Sequence, residues 1–413
     1  MIPSLRLLVL TFAAILTAPA SAQLAIKADT LHTMAGPVLT PGVVLIDATG
    51  KISAVGGPEV PIPADYPVLS AKVAVPGLID VRGTVGVSGL FNSAHDSDQL
   101  DRSSPIQPEL RALDAFNPKD DLVAWVRSLG VTTINTGHAP GELISGQLAA
   151  FKTSGTSVEA SLVKELTFVA ATLGPWAQKG GGSPGTRAKM VAMLREQLIK
   201  AREYVDSQHV AATKADGSPN DPASPPARDL RLEMLGRVIK GEVPLLVTAN
   251  RAQDIASVLR LKEEFKIPVV LDSGAEAYLM LDELKASGVP VVIHPTMYRM
   301  FGEMENMSVE TAAKLRAAGI PFAIQSGYES YVPKTRIVLF EAAIAAANGL
   351  SFEAALASIT IDAAKLLGLA DRLGSLEVGK DGDVALYDGD PFEYTTHCVG
   401  TVIDGKPTGD QPR

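Results

Sequence analysis

From residue 75 onward, short and mostly apolar runs return at intervals, and this recurrence limits the possible fold more than any other feature. Val131-Thr132-Thr133-Ile134, Pro244-Leu245-Leu246-Val247, Pro268-Val269-Val270-Leu271, Pro290-Val291-Val292-Ile293 and Pro321-Phe322-Ala323-Ile324 all lack the polar alternation of a half-exposed strand. Helical stretches lie between them, at Thr186 to Tyr204, Ala252 to Phe265, Glu276 to Ala286 and Ser308 to Ala318. Strands buried on both faces and separated by helices form parallel sheets. Their number and spacing favour a closed (β/α)8 TIM-like barrel over an open sheet.

The two ends of the chain read differently. Val43-Val44-Leu45-Ile46, a turn at Asp47 to Gly50, and Ile52-Ser53-Ala54-Val55 are short antiparallel strands, and a similar pattern returns over Ser375 to Lys406. The expected organisation is therefore a barrel over 76–374 and one small β-sandwich domain built jointly from 23–75 and 375–413. Asp216 to Arg228, dense in Pro, Asp, Ser and Ala, is expected to be a surface loop.

Before this lies a leader pattern. Arg6 is followed by the apolar stretch Leu7 to Leu16, and Ala20-Ser21-Ala22 has the small residues of a cleavage site, so 1–22 is expected to be a signal peptide. The apolar stretch is too short for a membrane span, which needs about 20 residues. A secreted or periplasmic chain starting near Gln23 follows. Losing Arg6 moves the net charge from −9 to −10, which disfavours nucleic-acid and anionic-membrane partners. With one cysteine, Cys398, an intrachain disulfide cannot form, so stability must come from a large core.

Val75-Pro76-Gly77-Leu78-Ile79-Asp80 and Gly374-Ser375-Leu376-Glu377-Val378-Gly379-Lys380-Asp381-Gly382-Asp383, with Asp388-Gly389-Asp390-Pro391, resemble the two ends of an amidohydrolase-superfamily chain. Gly130-Val131-Thr132-Thr133, Gly146-Gln147, Ala249-Asn250-Arg251, Glu276-Ala277-Tyr278 and Ile359-Thr360-Ile361 narrow the resemblance to its imidazolonepropionase-like and prolidase-like branch. The resemblance implies a divalent metal at the C-terminal mouth of the barrel, activating water for C–N hydrolysis. Its ligand positions are occupied differently here. Arg82 and Thr84 stand where strand one should supply two histidines, Thr248 and Ser273 where strands five and six should supply one each, and Gly327 where an aspartate is expected. A guanidinium has no lone pair to give, and hydroxyls are weak zinc ligands. The expectation is no catalytic residue, no metal and no cofactor, with zinc or another divalent metal reserved for the alternative of an active hydrolase.

Other chemistry is poorly supported. Of six histidines, His32 and His397 belong to the β-domain and His209 borders a loop. His95 with Asp96 and Asp98, His138 and His294 could face the mouth, but none has ligand spacing. Lys179 to Gly185 lacks the Gly-Lys-Ser/Thr of a phosphate loop, and neither Ser145 nor Ser326 lies in a Gly-x-Ser-x-Gly elbow. The acidic run Glu303 to Glu310, with Met300, Met304 and Met307 interleaved, fits a partner surface but reads more readily as a solvated helix start. What remains is a polar mouth, with Arg82, Thr84, Thr248, Asn250, Arg251, Ser273, Glu276, Gln325 and Tyr328 as the candidate pocket for a small anionic or carboxylate ligand. Arg82 is expected to pair internally, with Asp272 or Glu276, more readily than with a ligand. The expected role is a non-hydrolytic partner or regulator of an active homologue, as a homo-oligomer or hetero-oligomer. Alternatives are a periplasmic small-ligand binder and an active amidohydrolase acting on C–N bonds of a small substrate.

Overall fold

The computed structural model describes residues 23–89, 93–212, 227–293, 300, 302–327 and 338–408. The expected signal peptide at 1–22, nearly all of the expected loop at 216–228, His294 and Tyr328 lie outside them, as does the side chain of His209.

Fifteen strands make two sheets among the described residues. The first sheet takes strands from both chain ends: β1 (Leu24–Leu31), β2 (Gly42–Ile46), β3 (Ile52–Gly56) and β4 (Val68–Pro76), then β13 (Val384–Tyr387), β14 (Cys398–Ile403) and β15 (Lys406–Thr408). Its order is β15-β14-β13-β4-β1-β2-β3, with β1 and β4 parallel and every other pair antiparallel.

The second sheet is the nearly closed barrel. Its strands are β5 (Leu78–Gly83), β6 (Val131–Gly137), β7 (Ile144–Lys152), β8 (Leu162–Thr172), β9 (Leu245–Ala249), β10 (Val269–Ser273), β11 (Val291–Ile293) and β12 (Phe322–Ile324), paired in chain order. Strands β9 to β12 are buried at every position, so both faces are covered, as their apolar runs require. The helix Ala252–Phe265 coincides with its expected span and buries Ile255, Val258, Leu261 and Phe265 at helical spacing. Among the described residues no helix is long and apolar enough to cross a membrane.

Strict βα alternation fails in one place. Strand β7 runs antiparallel to both β6 and β8, with Thr133 opposite Lys152 and Gly137 opposite Leu148. The physical reason is connection length. The six residues from His138 to Leu143 can reverse the chain but are too few for a crossover helix, which needs a dozen or more. As a result β7 starts at the mouth, where β6 ends, and delivers Lys152 to the opposite rim, against the β-domain. There the buried Lys152 ammonium binds Asp383 and lies 3.1 Å from Asp381 and 3.2 Å from Asp404. Nearby, the Tyr387 hydroxyl donates to the Leu129 carbonyl at 3.0 Å. It stands where a β-carbon on Gly130 would fall, and with φ +102° that position requires glycine.

Candidate active site

Inside the barrel an apolar layer, including Val81, Phe168, Leu246, Val270 and Val292, gives way to polar side chains at the C-terminal strand ends. Arg82, on β5, is 3% exposed. Its Nη2 donates to the His138 carbonyl at 2.7 Å, its Nε lies 3.8 Å from Asp272 Oδ2, and its buried Nη1 has no hydrogen-bond partner. Burial presses the guanidinium below its ordinary pKa, and Asp272 and Asp80 act against that shift. Asp272 is held from three sides. Thr248 Oγ1 donates to Oδ2 and Gln325 Nε2 to Oδ1, each at 2.5 Å, while Arg82 supplies the charge. Arg82, Thr248, Asp272 and Gln325 thus form one packed polar cluster in the barrel mouth.

Asp80 closes the seam between β5 and β12. It is buried, accepts the Ser326 main-chain N–H at 3.1 Å and the Ser326 hydroxyl, and takes a longer bond from the Arg82 N–H at 3.3 Å. Burial pushes its carboxyl up to about 6, against the opposing effect of those bonds. A carboxyl raised on folding stabilises the fold while protonated, and that contribution is lost as pH climbs from about 4 through 6. Over this range the parent protein should lose about 2–3 kcal/mol relative to Asp80→Asn. Urea midpoints measured at pH 4, 5, 6 and 7 test this; parallel profiles for the two proteins would refute it.

The remaining expected pocket residues are dispersed. Thr84 turns into its own loop, its Oγ1 3.2 Å from Ser88 Oγ. Arg251 and Glu276 pair with each other at 2.9 Å on the rim, and Arg251 also reaches Glu305 at 2.6 Å. Glu276 is therefore not the partner of Arg82; Asp272 is. Ser273 has φ +73°, uncommon for a residue with a side chain, and its Oγ donates to Asn250 Oδ1 at 2.6 Å. Gly327 likewise has φ +73°. His138 is buried, and its imidazole is held neutral, near 4, by burial and the adjacent Arg82. His95 is exposed and pairs with Asp96 at 3.3 Å.

Sequence reasoning missed Glu303. Its run looked solvated, yet Glu303 is buried, accepting Asn250 Nδ2 at 3.2 Å and the Trp176 main-chain N–H at 3.1 Å. Its neighbour Met304 is buried as well, but no spacing in the sequence marks either residue as interior.

The divalent metal that the resemblance implies does not fit these residues. Arg82 is a donor without a lone pair, and both oxygens of Asp272 already accept hydrogen bonds. Among the described residues no group of three or more His, Cys, Asp or Glu side chains could hold a metal ion.

A nearly closed barrel with polar residues at its strand C-termini, beside a β-sheet built from both chain ends, is a TIM-like architecture with an added β-domain. Comparison with known proteins agrees. The amidohydrolase family model matches residues 309–408. Amidohydrolase tasK of Hapsidospora irregularis is 25% identical over 361 residues, which is 81% of this chain and 36% of that protein. Imidazolonepropionase of Brucella suis is 31% identical over 106 residues, 25% of either chain. The chain thus spans about a third of the length of the first relative and a quarter of the second. The crystal structure of an amidohydrolase from Thermotoga maritima superposes with a TM-score of 0.86 at 26% identity, covering 94% of this chain and all of the other. The chain belongs to the amidohydrolase superfamily and is similar to imidazolonepropionase over about a quarter of its length.

Proposed function

We propose that this is a secreted amidohydrolase-superfamily protein without hydrolytic activity, acting as a partner or regulator of an active homologue. The buried Arg82–Asp272 pair carries the reading. It places a fixed positive charge and its counter-ion in the barrel mouth, where a catalytic dication and its activated water would be required. Orientation by the surrounding hydroxyls, without an activated nucleophile, leaves most of a hydrolytic barrier standing. The unpartnered Arg82 Nη1 supports a second role, the binding of a small carboxylate.

Elemental analysis of protein produced with added zinc, manganese and iron should find far less than one metal per chain. One metal per chain, removed by a chelator together with amide hydrolysis, would overturn the proposal. Native isolation addresses the rest of the reading. A complex with a metal-bearing homologue and an N-terminus near Gln23 are expected; a cytosolic chain starting at Met1, with no such partner, refutes both points.

A further inference from the structure

Outside the Arg82 cluster, two buried carboxylates flank Gly174 at the rim of the mouth. Asp254, 2% exposed, lies in the first turn of the helix Ala252–Phe265, and Glu303, 7% exposed, lies in the short turn Gly302–Met304. Both face Gly174, which follows β8. A β-carbon there would stand 3.0 Å from Glu303 Oε1, 3.2 Å from Glu303 Oε2 and 3.3 Å from Asp254 Oδ2, and Gly174 has φ +125°. The absent side chain is what lets the two carboxylates approach.

Their hydrogen bonds are unequal. Glu303 accepts from Asn250 Nδ2 and the Trp176 N–H. Asp254 Oδ1 accepts from Arg187 Nε at 2.8 Å, while Asp254 Oδ2 is buried with no partner. An orphaned carboxylate oxygen beside a second carboxylate carries a desolvation cost that one proton removes.

We propose that a proton held on Glu303, facing Asp254 across Gly174, closes a proton-dependent clasp joining three rim segments: the turn after β8, the start of the helix after β9, and the Gly302–Met304 turn. Arg187 binds Asp254 Oδ1, and Glu303 holds the proton, facing Asp254 Oδ2 across Gly174. Burial raises the Glu303 carboxyl above its ordinary range, and Asp254 adds to the shift while Arg187 opposes it. Arg251, the next cation on the helix side, is engaged by Glu276 and Glu305. Loss of the proton leaves two carboxylates facing each other across Gly174 with one arginine against their two charges, and the repulsion loosens the clasp. Asn250 carries the effect inward, because it also receives the Ser273 hydroxyl at the end of β10.

The sequence has two tryptophans, so Trp125→Phe leaves Trp176, whose own N–H binds Glu303, as the sole indole. Trp125 is 48% exposed, on a surface where substitution is tolerated. In this background Trp176 emission, followed from pH 5 to 9, should show one transition. It should vanish in Glu303→Gln, move at least one pH unit lower in Asp254→Asn, and survive Asp80→Asn. The last control separates the clasp from the Asp80 seam. An emission profile flat throughout, a transition that persists in Glu303→Gln, or an Asp254→Asn midpoint equal to that of the parent overturns the clasp. The two acidic variants are read independently, so the misfolding of one does not shield the proposal.

Discussion

Arg82→Met should destabilise the protein by about 3–5 kcal/mol, the usual consequence of leaving one member of a buried ion pair without its counter-charge. The remaining Asp272 would keep the Thr248 and Gln325 donors but lose its cation. A carboxylate in a barrel interior is then uncompensated, and its desolvation dominates. The methionine fills similar volume, so a cavity contributes little. Adding Asp272→Asn removes the stranded charge and should recover more than half of the loss. Chemical denaturation of the parent, the single variant and the double variant gives the comparison. An Arg82→Met protein within about 1 kcal/mol of the parent would show that the pair carries little of the fold's stability.

Lys152→Met should be comparably costly, about 3–5 kcal/mol. Burial disfavours the charged amine, yet Asp383, Asp404 and Asp381 outweigh it and hold the ammonium above its ordinary pKa. Asp381 retains Lys51 at 2.5 Å and Arg372 at 3.0 Å when Lys152 is lost, whereas the buried Asp383 forfeits its bonded cation. Asp383→Asn should therefore restore Lys152→Met better than Asp381→Asn does. Equal rescue by the two would mean that charge is shared across the cluster.

The barrel was legible because parallel strands covered on both faces leave an unmistakable apolar mark, clearest in β9 to β12. Strand β7 was hidden, since Ile144–Lys152 is buried throughout and apolar content carries no direction. The Arg82–Asp272 pairing was legible as well: a buried guanidinium needs an anion, and Asp272 stands next to an expected ligand position. Thr84, Arg251 and Glu276 were placed in the pocket by register, but local turns and a rim ion pair draw them away. Glu303 and Asp254 could not be found by pattern. Their burial depends on three segments far apart in the chain, and sequence spacing is silent about such a meeting.

The reversed third strand also bears on how the chain reaches this fold. The β6–β7 and β7–β8 pairings span short connections, so this meander forms at a small cost in loop-closure entropy. The next barrel pairing, β8 with β9, must close the 72 residues from Leu173 to Pro244. The seam at Asp80 and Ser326 joins positions 246 residues apart. Contacts so unequal in sequence separation carry unequal entropic penalties, which makes the β6–β8 meander the natural seed of the barrel and the Asp80 seam among its last joints to close.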